Sequence, residues 1–283
     1  MPSILRTMLH SGSAWGRAAL IAAACGGPAH AQAFPLPASA GNTTPNEAVA
    51  PFLLPLRCTQ TKVIDRQTLV AAQAIPGNCG TWDMVSFDPT SRYVFVPCER
   101  ATANLFRYDT QTGAVALILV STGGTRAADP ATWNPANDRF ARLDPAKWTP
   151  WNTVLTGEEA IGGRLFEVMN PLSTTGFQVE WRSSIPAVAH EGLGWDAAGN
   201  LYFVDENNSG SLYRFVPTTP GDLSVGQTFV LRVDAYAADP NARPAEAYDS
   251  ASNSLTVRHG AATWVALTDP AGVPLTVTDP FAY

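Results

Sequence analysis

Short apolar runs, each closed by a polar turn, follow one another along the chain and predict strands rather than helices. Residues 85–88 (VSFD) lead into 93–96 (YVFV) and then 105–109 (LFRYD). The same order returns in residues 193–196 (LGWD), 201–204 (LYFV) and 212–215 (LYRF). Each copy reads strand, aspartate-bearing turn, strand, polar loop, strand. Asp88-Pro89 and Asp196-Ala197-Ala198-Gly199-Asn200 supply the turn chemistry. The runs are rich in Tyr, Phe and Val, the residues of half-buried strands. The interval from Phe87 to Trp195 holds two or three units of propeller-blade size, roughly 40–50 residues each. Residues 152–156 with 164–168, and 263–268 with 273–277, read as further strand pairs. No long amphipathic helix signal follows the first 31 residues. The expected fold is all-β, a β-propeller over residues 51–283, with a β-sandwich as the plainer alternative. A closed ring needs a returning strand, and residues 278–283 (TDPFAY) contain none. The propeller is therefore expected to be incomplete, or truncated at its C-terminus.

The first 31 residues have a different character. Arg6 and Arg17 precede a short apolar stretch, residues 18–27 (AALIAAACGG), and Ala29-His30-Ala31 matches a small-residue cleavage site. The stretch is about half of the ~20 residues a spanning helix requires. Residues 1–31 are expected to be a signal peptide, and residues 32–50, rich in Ala, Pro, Asn and Thr, a flexible linker. The protein is then exported, periplasmic or secreted. The chain carries a net charge of −6, and residues 1–31 hold two arginines and no acid, so cleavage makes it more negative still. That balance argues against nucleic acid and anionic membrane surfaces as partners. No second apolar run is long enough to cross a membrane, and a monomer is expected.

Export makes disulfides possible. Cys58, Cys79 and Cys98 survive cleavage. If residues 82–87 and 93–96 form a hairpin around residues 88–91, Cys79 and Cys98 fall nearly opposite each other. A Cys79–Cys98 bridge is the expected pairing, with Cys58 left odd.

Charged residues make up only 15% of the chain, and acids gather at strand ends between Trp148 and Phe215. Thr156-Gly157-Glu158-Glu159, His190-Glu191-Gly192 and Val204-Asp205-Glu206-Asn207 are the three groups. Adjacent glutamates on one strand point to opposite faces, so both reach one centre only where the chain bends, as Gly157 and Gly162-Gly163 allow. Solvated loop charges are the plain alternative for each group. Asp205-x-Asn207-x-Ser209-Gly210 begins like a calcium loop, but Val216 stands where the bidentate Glu belongs. Glu158, Glu159, Glu191, Asp205 and Glu206 together form a set of oxygen donors, which suits calcium or magnesium rather than zinc or copper. His190 has acidic neighbours and His259 has none. Trp148 and Trp151 read as packing residues.

At these residues the chain resembles the PhoX family of secreted alkaline phosphatases. The likeness runs through Asp144-Pro145-x-x-Trp148-Thr149-Pro150-Trp151-Asn152-Thr153-Val154-Leu155-Thr156-Gly157-Glu158-Glu159. It continues through Gly163-Arg164-Leu165-Phe166-Glu167 and His190-Glu191-Gly192 to Tyr202-Phe203-Val204-Asp205-Glu206. The resemblance implies a β-propeller with calcium and an iron pair at its centre, hydrolysing phosphate monoesters. By position it makes Glu158, Glu159, Glu191, Asp205 and Glu206 metal ligands. Many members carry Cys before the Glu pair, where this chain has Gly157, so the thiolate ligand for iron is missing and calcium is the cofactor expected. The expected function is a metal-dependent phosphatase acting on a small phosphorylated substrate, with Arg164 or Arg182 as phosphate clamps. A non-catalytic calcium-binding propeller and a propeller lactonase or esterase are the alternatives.

Overall fold

The fold is that of a computed structural model describing residues 59, 61–100, 104–206, 211–233 and 261–275. The expected signal peptide, linker, Cys58 and His259 lie outside the described residues. The chain divides into two compact units, Met1–Lys62 and Val63–Tyr283, and every strand described below belongs to the second.

Strands dominate. The first sheet contains β1 (Thr81–Trp82), β2 (Ser86–Phe87), β3 (Tyr93–Glu99), β4 (Asn104–Asp109) and β5 (Val115–Val120), ordered β1-β3-β4-β5 with β2 also paired to β3. The second runs β6 (Leu143–Trp148), β7 (Val154–Glu158), β8 (Leu165–Val168), β9 (Val179–Trp181). The third runs β10 (His190–Trp195), β11 (Leu201–Asp205), β12 (Leu212–Thr219), β13 (Asp222–Val233), β14 (Ala262–Ala266). All pairings are antiparallel. Among the described residues helix is confined to α1 (Arg66–Ala71), capped by Asp65, and one 3-10 turn (Pro135–Asn137). No helix there is long and apolar enough to cross a membrane. The chain is thus nearly all β, in three successive antiparallel sheets, and these form no closed barrel among the described residues.

Aspartates make the hairpins. Asp88 accepts from the amides of Thr90 (3.1 Å) and Tyr93 (2.7 Å), and Asp196 from those of Ala198 and Asn200, both at 2.9 Å. Asp269 repeats the motif with Ala271 and Val273. A short carboxylate bonding its own turn replaces amide partners that a reversing chain loses.

Strand alternation divides the core. On β3, Val94 and Val96 face a cluster with Leu69 of α1, Ile75 and Phe106, while Phe95 faces Leu105, Phe140, Phe166 and Val168. On β7, Val154 joins the Phe95 cluster and Leu155 joins Leu193, Phe203, Phe215 and Leu223. β7 is buried along its length. The second sheet therefore has a core on each face. Each fully buried Phe or Leu contributes about 1.5–3 kcal/mol relative to exposure. Trp148 packs on Phe95 and Trp151 on Trp195.

Several details depart from the pattern read in the sequence. Residues 82–87 are not one strand: β1 and β2 are separated at Met84, whose φ is 27°. Trp82 pairs with Cys98 and Ser86 with Phe95. Cys79, just before β1, is disulfide-bonded to Cys98, with Cα atoms 5.0 Å apart. β14 pairs with β13, and just beyond it the chain turns back on itself through a Thr268–Pro274 bridge and a bond from the Leu275 amide to the Leu267 carbonyl (2.9 Å). β6 is not legible as a strand in the sequence, because Pro145 has no amide hydrogen for the ladder. Its edge instead meets residues 84–86: the Ala146 amide donates to the Met84 carbonyl (3.0 Å) and the Trp148 amide to Ser86 Oγ (2.9 Å).

Candidate functional site

Two irregular strands set the geometry. The β6–β7 register slips between Leu143 and Ala146, which leaves Asp144-Pro145 in the irregularity. The β10–β11 register slips between Glu191 and Leu193, at Gly192, whose φ is 34°. Such bulges re-aim side chains that strict alternation would send elsewhere. Glu206 follows β11, where its amide donates to the Ala189 carbonyl at 3.0 Å. As a result, carboxylate oxygens of Asp144, Glu191 and Glu206 lie within 4.8 Å of one another, from a buried, a half-buried and an exposed residue.

The cluster is electrostatically loaded. Asp144 Oδ1 and Glu191 Oε2 are buried, and no amide, hydroxyl or cationic group donates to them. Burial first, and then the Glu191 carboxyl beside it, pushes Asp144 up to about 9. Asp83 and Glu159 act in the same direction. Burial and the contact with Glu206 raise Glu159 to about 7, with Arg142 opposing. A group kept protonated by its neighbours marks a place where negative charge is concentrated beyond what the protein neutralises.

Beside the cluster a cavity of about 310 Å³ is lined by Arg142, Glu159, Ala160, Ile161, Ala189 and Glu206. Arg142 Nη2 lies 2.9 Å from Glu99 Oε1 and 3.4 Å from Glu159 Oε1. The Glu159 amide donates to the Arg142 carbonyl at 2.9 Å, which ties the strand exit to this wall.

Of the five acids singled out in the sequence, Glu159, Glu191 and Glu206 meet here with Asp144. Glu158 and Asp205 do not join them. Glu158 points into the second sheet, where Arg164 Nη2 reaches Oε1 (2.7 Å), Arg126 Nη2 reaches Oε2 (2.6 Å) and the Ala141 amide donates to Oε1 (2.9 Å). Burial alone would raise Glu158, but the bonds from Arg164 and Arg126 outweigh it and hold the carboxyl below its usual range. Asp205 Oδ1 accepts from the Ala189 amide at 3.2 Å. Arg164 also pairs with Asp138, and Arg182 with Glu167 and Glu180, so neither lines the cavity. Asp144 belongs to the family likeness but not to the five donors expected from the sequence. The signal that marks it is an aspartate before proline at a strand start, where alternation must break.

His190 is fully buried and its ring tilts over Phe203, centroids 5.3 Å apart. Burial pushes the imidazole down to about 4, against the Glu158 charge and the Pro186 carbonyl. It is a core residue rather than a member of the carboxylate cluster. A Cβ added at Gly157 would meet His190 Cβ at 2.6 Å and Leu165 Cδ1 at 3.2 Å. The cysteines among the described residues are paired with each other.

The acidic cluster could hold a metal ion through carboxylate oxygens. Buried carboxylate oxygens lacking donors are what a hard, oxygen-seeking cation such as calcium needs. A thiolate ligand is not available among the described residues, because a side chain at position 157 would collide with His190 and the described cysteines are paired with each other.

No family model matches the chain, and no curated protein matches it. Among solved structures, PhoX of Pseudomonas fluorescens in complex with vanadate, a transition state analogue, aligns at a TM-score of 0.39 and 14% identity. The alignment covers 67% of this chain and 49% of that one, so the chain spans about half the length of that protein.

Proposed function

We propose that the protein is an exported, calcium-dependent phosphatase of PhoX type, acting on small phosphate monoesters from a propeller-like scaffold. The observation that carries this reading is the convergence of Asp144, Glu191 and Glu206 with carboxylate oxygens left unbonded in a buried setting. Asp144, Glu191 and Glu206 would hold the cation, with Glu159 joining from the cavity wall. A bound divalent cation supplies charge neutralisation for phosphoryl oxygens and lowers the pKa of a bound water. The chain's own part is to position. The bulges in β6 and β10 aim Asp144 and Glu191. Glu158 keeps its place as the buried anchor of Arg126 and Arg164. The leader read in residues 1–31 favours a periplasmic or secreted location.

The close approach of Gly157 to His190 favours a second reading, a calcium-binding protein of the same build without turnover. One pair of measurements separates the two. Elemental analysis of the purified protein should find calcium, and p-nitrophenyl phosphate should be hydrolysed faster with calcium than with a chelator. Calcium without turnover would favour the non-catalytic reading. Absence of bound calcium would overturn both readings.

A further inference from the structure

We infer that Arg142 is the anion-contacting arm of the acidic cavity and receives the tetrahedral oxyanion of the substrate. The inference rests on the cation reading above, since an unneutralised acidic cavity would repel an anion. Arg142 is the cation among the residues lining the cavity, and its side chain is 50% exposed. The nearby Arg126 and Arg164 are committed to Glu158, and Arg182 to Glu167. Arg142 is committed less fully. Both its ion-pair contacts run through Nη2, and Nε and Nη1 make no bond among the described residues. A guanidinium offers five donors, and with Nη2 engaged the N–H groups of Nε and Nη1, which lie on different edges, remain as single donors to a phosphoryl oxygen.

The backbone gives a second, independent reason. Arg142 sits at φ 46°, in the left-handed region that side chains other than Gly, Asn and Asp seldom adopt. Its amide donates to the Arg100 carbonyl at 2.6 Å and its carbonyl accepts from Glu159. The strained conformation turns the side chain toward the cavity wall it shares with Glu159. Exposed ion pairs such as Arg142–Glu99 stabilise folds little, so stability does not account for an arginine at this place. Strain at a cavity rim with spare donors fits binding.

The test uses inorganic phosphate as the probe on calcium-loaded protein, with Arg142→Gln and Arg142→Lys beside the wild type. Calcium content and the calcium-dependent rise in melting temperature should be retained in both variants. Phosphate affinity by titration calorimetry should fall about tenfold or more in Arg142→Gln, with partial recovery in Arg142→Lys. With p-nitrophenyl phosphate, KM should rise more than kcat falls. Unchanged phosphate affinity in Arg142→Gln would overturn the inference, as would loss of calcium in that variant, which would make Arg142 a support of the cation site. Wild-type protein that takes up calcium and binds no phosphate would overturn it too. If the wild type binds phosphate through Arg142 without hydrolysing the ester, the inference stands and the phosphatase reading alone fails.

Discussion

A Cβ on Gly157 would lie 2.6 Å from Cβ of His190, closer than two such atoms come. β7 and β10 thus touch where one carries no side chain and the other carries a fully buried ring. The imidazole has no room to retreat, since Phe203 lies against it. Gly157→Ala is expected to destabilise by about 1–3 kcal/mol through overpacking, and Gly157→Cys by at least as much. His190→Gly removes both offending atoms, so the double variant Gly157→Ala/His190→Gly should cost less than the two singles combined. Urea unfolding of the four proteins measures the coupling. Strict additivity would show that something other than His190 keeps position 157 bare.

Glu158 yields a contrasting expectation. It is fully buried and holds Arg126 and Arg164. Glu158→Ala leaves Arg164, itself 2% exposed, with Asp138 as its remaining acid. Removing one member of a buried ionic group costs about 3–5 kcal/mol. A loss of that size, with calcium content unchanged, is the expected result by calorimetry and elemental analysis. Loss of calcium with stability retained would place Glu158 among the ligands after all.

These two residues also mark how far the sequence reaches. Tandem Tyr, Phe and Val runs with aspartate turns made β3, β4, β11 and β12 legible, because alternation and turn chemistry are local. β6 was hidden by Pro145 and held in place by residues 84–86, far away in sequence. Spacing identified Glu158 and Glu159 as a pair but not that they would part, Glu158 to two arginines and Glu159 to the cavity. Alternation predicts opposite faces and says nothing of what each face meets. Asp144 is not legible as a ligand because its aim depends on an irregularity in register, which no periodicity encodes.

The metal-free protein should lose stability as pH rises through neutrality. Asp144 stands near 9 in the fold against an ordinary 3.8, and Glu159 near 7 against 4.5. Between those values the folded state binds protons that the unfolded chain has released, so its stability falls with rising pH. Glu158 acts oppositely: its lowered pKa contributes stability above the ordinary carboxylate range that is lost on acidification. In chelator the melting temperature should therefore pass through a maximum at mildly acidic pH and decline toward pH 9. Calcium competes with those protons, so the gap between calcium and chelator curves should widen over the same range. Parallel curves from pH 5 to 9 would remove the carboxylate cluster as the calcium site.

Asp144→Asn separates the two roles of the cluster. The substitution keeps the shape of the side chain and removes the cost of holding a buried carboxyl protonated beside Glu191 at a pH where the unfolded chain ionises it. In chelator at pH 8 the variant should melt higher than the wild type by a few degrees, since about 1 kcal/mol moves a domain of this size by roughly 2–4 °C. In calcium the order should reverse, because an amide oxygen without charge is a poorer ligand for a hard cation. A crossover of the two melting temperatures on adding calcium is the expected signature. It arises only if Asp144 is costly in the empty fold and useful in the loaded one. A variant less stable than the wild type under both conditions would make Asp144 a structural carboxylate whose hydrogen bonding, rather than its charge, matters to β6.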